Sequence, residues 1–94
     1  MQRILIIEDE ANIRELISYN LTSSNYKVME AEDGLQGFEL AVREKPDLIL
    51  LDLMLPGRNG LDICRELRSM GLEIPIIILT AKNEDIDKVM GLEF

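Results

Sequence analysis

Three apolar runs punctuate the chain: Ile4-Leu5-Ile6-Ile7, Leu48-Ile49-Leu50-Leu51 and Ile76-Ile77-Ile78-Leu79. None alternates with polar residues, so each predicts a strand. The first is apolar on both faces, and two-sided burial marks a parallel sheet covered by helices. The stretch Tyr26–Ala31 is less apolar, and its Lys27 marks an edge strand.

Between the strands the apolar spacing becomes helical. Ile13, Leu16, Ile17 and Leu21 form one face of a helix from about Glu10 to Ser24, with Glu10 and Arg14 placed to pair one turn apart. Asp33 reads as an N-cap with Gln36 as its capping-box partner. That helix runs to about Glu44 with Leu35, Phe38, Ala41 and Val42 inward, and Pro46 stops it. A helix from about Gly60 to Met70 turns Ile63, Cys64, Leu67 and Met70 inward and Arg65, Glu66 and Arg68 outward, with Gly71 as its C-cap. Pro75 opens the last strand, a position proline can occupy. The segment from about Glu84 to Leu92, with Ile86, Val89 and Met90, reads as a short amphipathic helix. Strand and helix thus alternate throughout. With short connections this predicts right-handed crossovers and a doubly wound parallel α/β sheet.

The strands end in matched chemistry. The first ends on Glu8-Asp9, the third on Asp52 and the fourth on Thr80. In open parallel sheets the ligand crevice lies outside the carboxyl ends of the strands. Three carboxylates gathered there would repel one another unless neutralised, and Mg²⁺, a hard cation with oxygen ligands, does this well. A carboxylate beside Mg²⁺ can attack phosphorus and form an aspartyl-phosphate, while the metal offsets charge on the transferring group. Thr80 can offer its hydroxyl to a phosphate oxygen. The residues therefore assemble into a phosphoryl-accepting site with Asp52 as acceptor. Each feature also has an ordinary structural explanation. Glu8 and Asp9 suit the dipole of the helix that follows them, and Thr80 suits a strand end. The joint pattern carries the assignment, because several strands must end alike.

Composition narrows the classes. The 94 residues form one small domain, 47% hydrophobic and 30% charged, which is a globular profile. No apolar run approaches the ~20 residues that cross a bilayer, and Met1-Gln2-Arg3 leads directly into a strand, so no membrane segment or leader is expected. The single cysteine, Cys64, excludes an internal disulfide; it reads as a small core residue in a reducing, cytoplasmic setting. A net charge of −8, from 18 acids against 10 bases, argues against direct nucleic-acid binding and suits a cation site. No Gly-x-Gly-x-x-Gly follows the first strand and no Walker motif is present, so dinucleotide and P-loop readings fail. A Mg²⁺-dependent phosphohydrolase would need a second acid two residues after its nucleophile, where Met54 stands.

In combination, Glu8-Asp9-Glu10 after the first strand, Pro46-Asp47 through Pro56-Gly57, Gly60 through Arg68, and Pro75 through Thr80-Ala81-Lys82 are highly specific. The sequence resembles a response-regulator receiver domain of two-component signalling, along essentially its whole length. The resemblance implies a flavodoxin-like fold and a phosphoacceptor rather than an enzyme. It implies Asp52 as the acceptor, Asp9 as a direct Mg²⁺ ligand, Glu8 as its water-mediated neighbour, the Met54 backbone carbonyl as a further ligand, and Thr80 as the switch hydroxyl. Ala81 matches the small residue that leaves access. The resemblance further implies a histidine kinase as phosphoryl donor. The Leu53-Met54-Leu55-Pro56-Gly57 stretch and the arginine-flanked helix are most similar to the subfamily with a winged-helix DNA-binding output domain, which would supply any DNA contact and transcriptional control.

The family has five strand–helix units and this chain carries four, so the domain reads as a receiver over 1–94, truncated before its fifth strand. The family's lysine and aromatic switch residue have no counterpart; Lys82, in the loop after Thr80, is not that lysine. Impaired self-phosphorylation and dephosphorylation are expected. The fourth strand would become an exposed edge and the stripe on the first helix would be partly bare. Both favour self-association, most simply a homodimer. An inactive, self-associating fragment is the corresponding alternative.

Overall fold

The computed structural model describes residues 1–55, 58–80 and 90–93, with Thr80 and residues 90–93 described by backbone alone. Four strands and three helices alternate along the chain: β1 Arg3–Ile7, α1 Ala11–Ser23, β2 Lys27–Ala31, α2 Gly34–Glu44, β3 Leu48–Asp52, α3 Gly60–Ser69 and β4 Ile76–Thr80. A fifth strand, β5 Met90–Glu93, follows. The sheet order is β2-β1-β3-β4-β5. β1 to β4 pair in parallel and β5 runs antiparallel to β4. The doubly wound parallel core thus agrees with the hydrophobic pattern, and β2 lies at one edge.

The order reverses at β1. The chain steps outward from β1 to β2, then returns past β1 to β3 and on to β4. Right-handed crossovers in opposite directions place α1 on one face of the sheet and α2 and α3 on the other. The second face is the better filled. Leu5, Ile7, Ile49, Leu51, Ile76 and Ile78 from the strands meet Ala41, Ile63, Cys64 and Leu67 from the helices in one buried cluster.

α2 sits closer to the sheet than its large residues suggest. Its buried positions are Gly34, Gly37 and Ala41, while Phe38 and Val42 flank the core and Leu35 is 57% exposed. Leu35 is therefore turned outward, contrary to its sequence reading, because the face of close approach is centred on the small residues. Asp33 caps the helix as expected, accepting the Gln36 N–H at 2.8 Å. The Gln36 side chain reaches back one residue further than a capping box requires, to the Glu32 N–H at 2.9 Å. In α3, Ile63, Cys64 and Leu67 are buried, Asn59 is the N-cap, and Met70 lies past the end, half exposed. Gly71 has φ +82°, the left-handed conformation expected after a helix.

Two further expectations need correction. The spacing predicts a helix through Met90 to Leu92, but β5 pairs Thr80 with Met90, Leu79 with Gly91 and Ile78 with Leu92. The β4 edge is therefore covered. An apolar strand with a row of unpaired N–H and C=O groups is a strong template, and pairing satisfies those groups. The earlier part of that proposed helix, with Ile86 and Val89, lies outside the described residues, as do Pro56, Gly57, Ala81 and Lys82. The second correction concerns Arg14. It does not turn to Glu10; its Nε meets Glu30 Oε1 at 3.2 Å.

The opposite face carries α1 alone among the described residues. α1 buries none of its residues completely, and Leu16 is 62% exposed. Leu48, Leu50, Ile77 and Leu79, which share this face, are only half-buried. Among the described residues no helix is long and apolar enough to cross a membrane.

Candidate functional site

The sheet itself assembles the site. Parallel register pairs Ile7 with Leu51. One step further, β1 delivers Glu8 and β3 delivers Asp52, at adjacent strand tips that flank the switch point. Asp9 follows in the loop to α1. One carboxylate oxygen from each of Glu8, Asp9 and Asp52 lies within 4.8 Å of the others. β4 reaches the same end: Leu79 pairs with Asp52, so the Thr80 backbone stands one residue beyond it on the neighbouring strand.

Local hydrogen bonds hold the acids in place. Glu8 donates its N–H to the Ala31 carbonyl at 3.1 Å, which extends the β1–β2 pairing past the last strand residue. Its Oε2 accepts the Glu10 N–H at 3.1 Å, and its carbonyl accepts Arg14 Nη1 at 2.8 Å. Asp52 Oδ1 accepts the Met54 N–H at 3.1 Å, folding the chain sharply after β3. The Met54 side chain is exposed, and it is the backbone N–H that meets Asp52. Gly60 lets α3 start tightly against this turn: a Cβ there would lie 3.1 Å from the Leu53 Cα and 3.2 Å from the Asp52 carbonyl oxygen.

The electrostatics are unbalanced. Glu8 is 4% exposed, the one buried charged residue among the described residues. Burial raises its pKa from 4.5 to about 7, with the Asp52 and Asp9 charges adding to the rise and the Glu10 N–H opposing it. Among the described residues, the ion pairs of Arg3, Arg14 and Arg58 are with Glu44, Glu30 and Glu66 and not with these three acids. An all-oxygen donor set with excess negative charge and a carboxyl forced towards protonation is one that a hard divalent cation would relieve. The residues present therefore fit Mg²⁺.

The structure thus brings together Glu8, Asp9 and Asp52, seats the Met54 backbone beside Asp52, and sets the Thr80 backbone at the adjoining tip. Sequence reasoning missed the Arg14 bond to the Glu8 carbonyl, the Met54 N–H on Asp52, and the Asn59 cap, whose Oδ1 accepts the Leu61 N–H at 2.7 Å. Asn59 before Gly60 was a readable cap signal; the other two bonds depend on tertiary placement.

The fold and site define a doubly wound α/β domain with an acidic crevice at its switch point. The chain belongs to the response regulator receiver domain family, which it matches over residues 4–94. It is 49% identical over 92 residues to the alkaline phosphatase synthesis transcriptional regulatory protein PhoP of Bacillus subtilis (strain 168), covering 98% of this chain and 38% of that protein. The chain thus spans well under half the length of that relative. Among solved structures it is similar to the BeF3-activated N-terminal receiver domain of Klebsiella pneumoniae RstA, with TM-score 0.80, 38% identity, and coverage of 88% of this chain and 70% of that one. It is also similar to the Thermotoga maritima response regulator TrrA in complex with Mg(2+)-BeF, with TM-score 0.82, 37% identity, and coverage of 88% and 72%. The chain is thus a response regulator receiver domain of two-component signalling, similar in sequence to part of a transcriptional regulator named PhoP.

Proposed function

We propose that this domain accepts a phosphoryl group on Asp52 in a Mg²⁺-dependent reaction. The observation that carries the reading is the gathering of the Glu8, Asp9 and Asp52 carboxylates within 4.8 Å at two adjacent strand tips. Glu8, Asp9, Asp52 and the Met54 carbonyl are the groups that would hold the metal. Mg²⁺, when bound, supplies positive charge against the developing charge of the transferring group.

The chain's own residues do the rest. Asp52 stands half-buried at a strand tip, with Oδ1 fixed by the Met54 N–H. One of its oxygens attacks the phosphorus of a phosphohistidine on a partner kinase; the P–O bond to Asp52 forms as the P–N bond to histidine breaks, and the imidazole leaves with the electron pair. Glu8 and Asp9 stay unphosphorylated and would hold the cation. Thr80, at the adjacent tip, offers its hydroxyl to the new phosphoryl group and reports its presence to β4. The kinship with a transcriptional regulator supports control of transcription through a separate DNA-binding domain, and a cytoplasmic setting. The half-covered α1 face supports self-association as a homodimer, and an inactive associating fragment is the reading that remains if acceptance fails.

The test is intact mass after incubation with Mg²⁺ and acetyl phosphate, with Asp52→Asn as control. One added phosphoryl group on the wild type alone is the expected result. No addition to the folded wild type, or equal addition to Asp52→Asn, would overturn the assignment.

A further inference from the structure

The acidic crevice depends on two neighbouring residues, Glu8 and Asp9, leaving β1 in a fixed direction although their charges repel. The peptide between them is a rigid plane, with the Glu8 carbonyl oxygen and the Asp9 N–H on opposite edges. Whatever holds that oxygen sets the rotation of the plane, and with it the direction in which Asp9 leaves the strand. Arg14 holds it: Nη1 lies 2.8 Å from the Glu8 oxygen. The same guanidinium is anchored by Nε on Glu30 Oε1 at 3.2 Å, and its side chain is only 15% exposed. One planar fork thus ties α1, the β1 tip and the end of β2 together. Arginine suits this task because its donors lie in a fixed geometry, so two acceptors define its position.

From this geometry we infer that Arg14 is the positioning residue of the metal site, orienting the Glu8–Asp9 peptide so that both acids face Asp52. The inference rests on the Mg²⁺ reading of that site. Arg14 meets Glu8 at the backbone carbonyl, so its action runs through the peptide plane. A mere strut between α1 and β2 would depend on the Glu30 ion pair. A positioning residue depends instead on the bond to the Glu8 carbonyl. The two roles separate in the variants.

The experiment is calorimetric titration of the 94-residue chain with MgCl₂, using wild type, Arg14→Met, Arg14→Lys and Glu30→Gln, each checked by circular dichroism for native helix and sheet. Groups that orient metal ligands are worth about tenfold to a hundredfold in affinity, so Arg14→Met is expected to bind at least about tenfold more weakly. Arg14→Lys keeps one donor for the carbonyl and is expected to recover part of the loss. Glu30→Gln leaves the carbonyl bond in place and is expected to stay within about twofold of wild type. Equal affinity in wild type and Arg14→Met would overturn the inference and leave the metal site standing. So would a loss in Glu30→Gln as large as that in Arg14→Met. Should Arg14→Met lose its native spectrum, Arg14→Gln takes its place; unfolding of both would assign Arg14 to stability and overturn the inference. A wild type that takes up no Mg²⁺ would remove the metal reading itself, and this inference with it.

Discussion

At the scale of single residues, Glu8 is where fold and function oppose each other. Its folded pKa of about 7, against an ordinary 4.5, comes first from burial and then from the Asp52 and Asp9 charges. The sign of the stability effect follows. Between these values the folded protein holds a proton that the unfolded chain has released, so stability falls as pH rises through this window. The loss from this group is complete above pH of about 7 and absent well below 4.5. Glu8→Gln removes the charge and keeps the shape. In metal-free buffer its urea midpoint is expected to exceed that of the wild type at pH 8 and to approach it at pH 5. Parallel pH dependence of the two proteins would show that Glu8 is not the strained group. The opposition explains why this position tolerates an acid at all: a cation there would turn a folding penalty into binding energy.

At the scale of elements, most of the architecture was legible because the signals were local and strong. The run Ile4 to Ile7 could be buried on both faces only in a covered parallel sheet, and the terminal acids followed from strand register. What was not legible was set by partners far away in the sequence. Leu35 looked like an inward residue because it is large and apolar, yet α2 turns its glycines to the sheet. Arg14 looked like a local partner for Glu10, yet its acceptors lie on β1 and β2. β5 could not be read from Met90 to Glu93, because its strand character comes from the open edge of β4 rather than from its own pattern. The glycine face makes a measurable claim. A Cβ at Gly37 would lie 2.5 Å from Ile7 Cδ1 and 2.8 Å from Ile7 Cγ2. The second atom is a methyl bonded directly to the branch carbon Cβ, so it moves only if χ1 of the fully buried Ile7 changes. Alanine would add up to about 1 kcal/mol of helix propensity, but overpacking costs about 1–3 kcal/mol, so Gly37→Ala is expected to destabilise. Ile7→Ala should relieve the clash. The double variant is therefore expected to be more stable than the two separate losses predict, as read from urea unfolding, and strict additivity would refute the contact.

At the scale of the whole molecule, the two faces of the sheet are unequally dressed. α2 and α3 close one face, while α1 covers only the β1–β2 side of the other among the described residues. Leu48, Leu50, Ile77 and Leu79 are left half-buried, and on α1 Leu16 is exposed. With the β4 edge occupied by β5, this face is the apolar surface that remains for a second copy among the described residues. A net charge of −8 opposes that contact, because two like-charged copies repel at every separation within the screening length. Association through this face is therefore expected to be weak at low ionic strength and to strengthen as salt rises to ~0.5 M, where the screening length falls to roughly 4 Å. A contact built on ion pairs would respond in the opposite direction. Sedimentation velocity across a salt series distinguishes them, with Leu16→Glu placing a charge in the middle of the stripe. Dimer growing with salt in the wild type and absent in Leu16→Glu would place the interface on α1. A wild type that stays monomeric at all salts, or a Leu16→Glu variant that dimerises equally, would remove α1 as the interface and leave phosphoacceptance at Asp52 to be judged on a single copy.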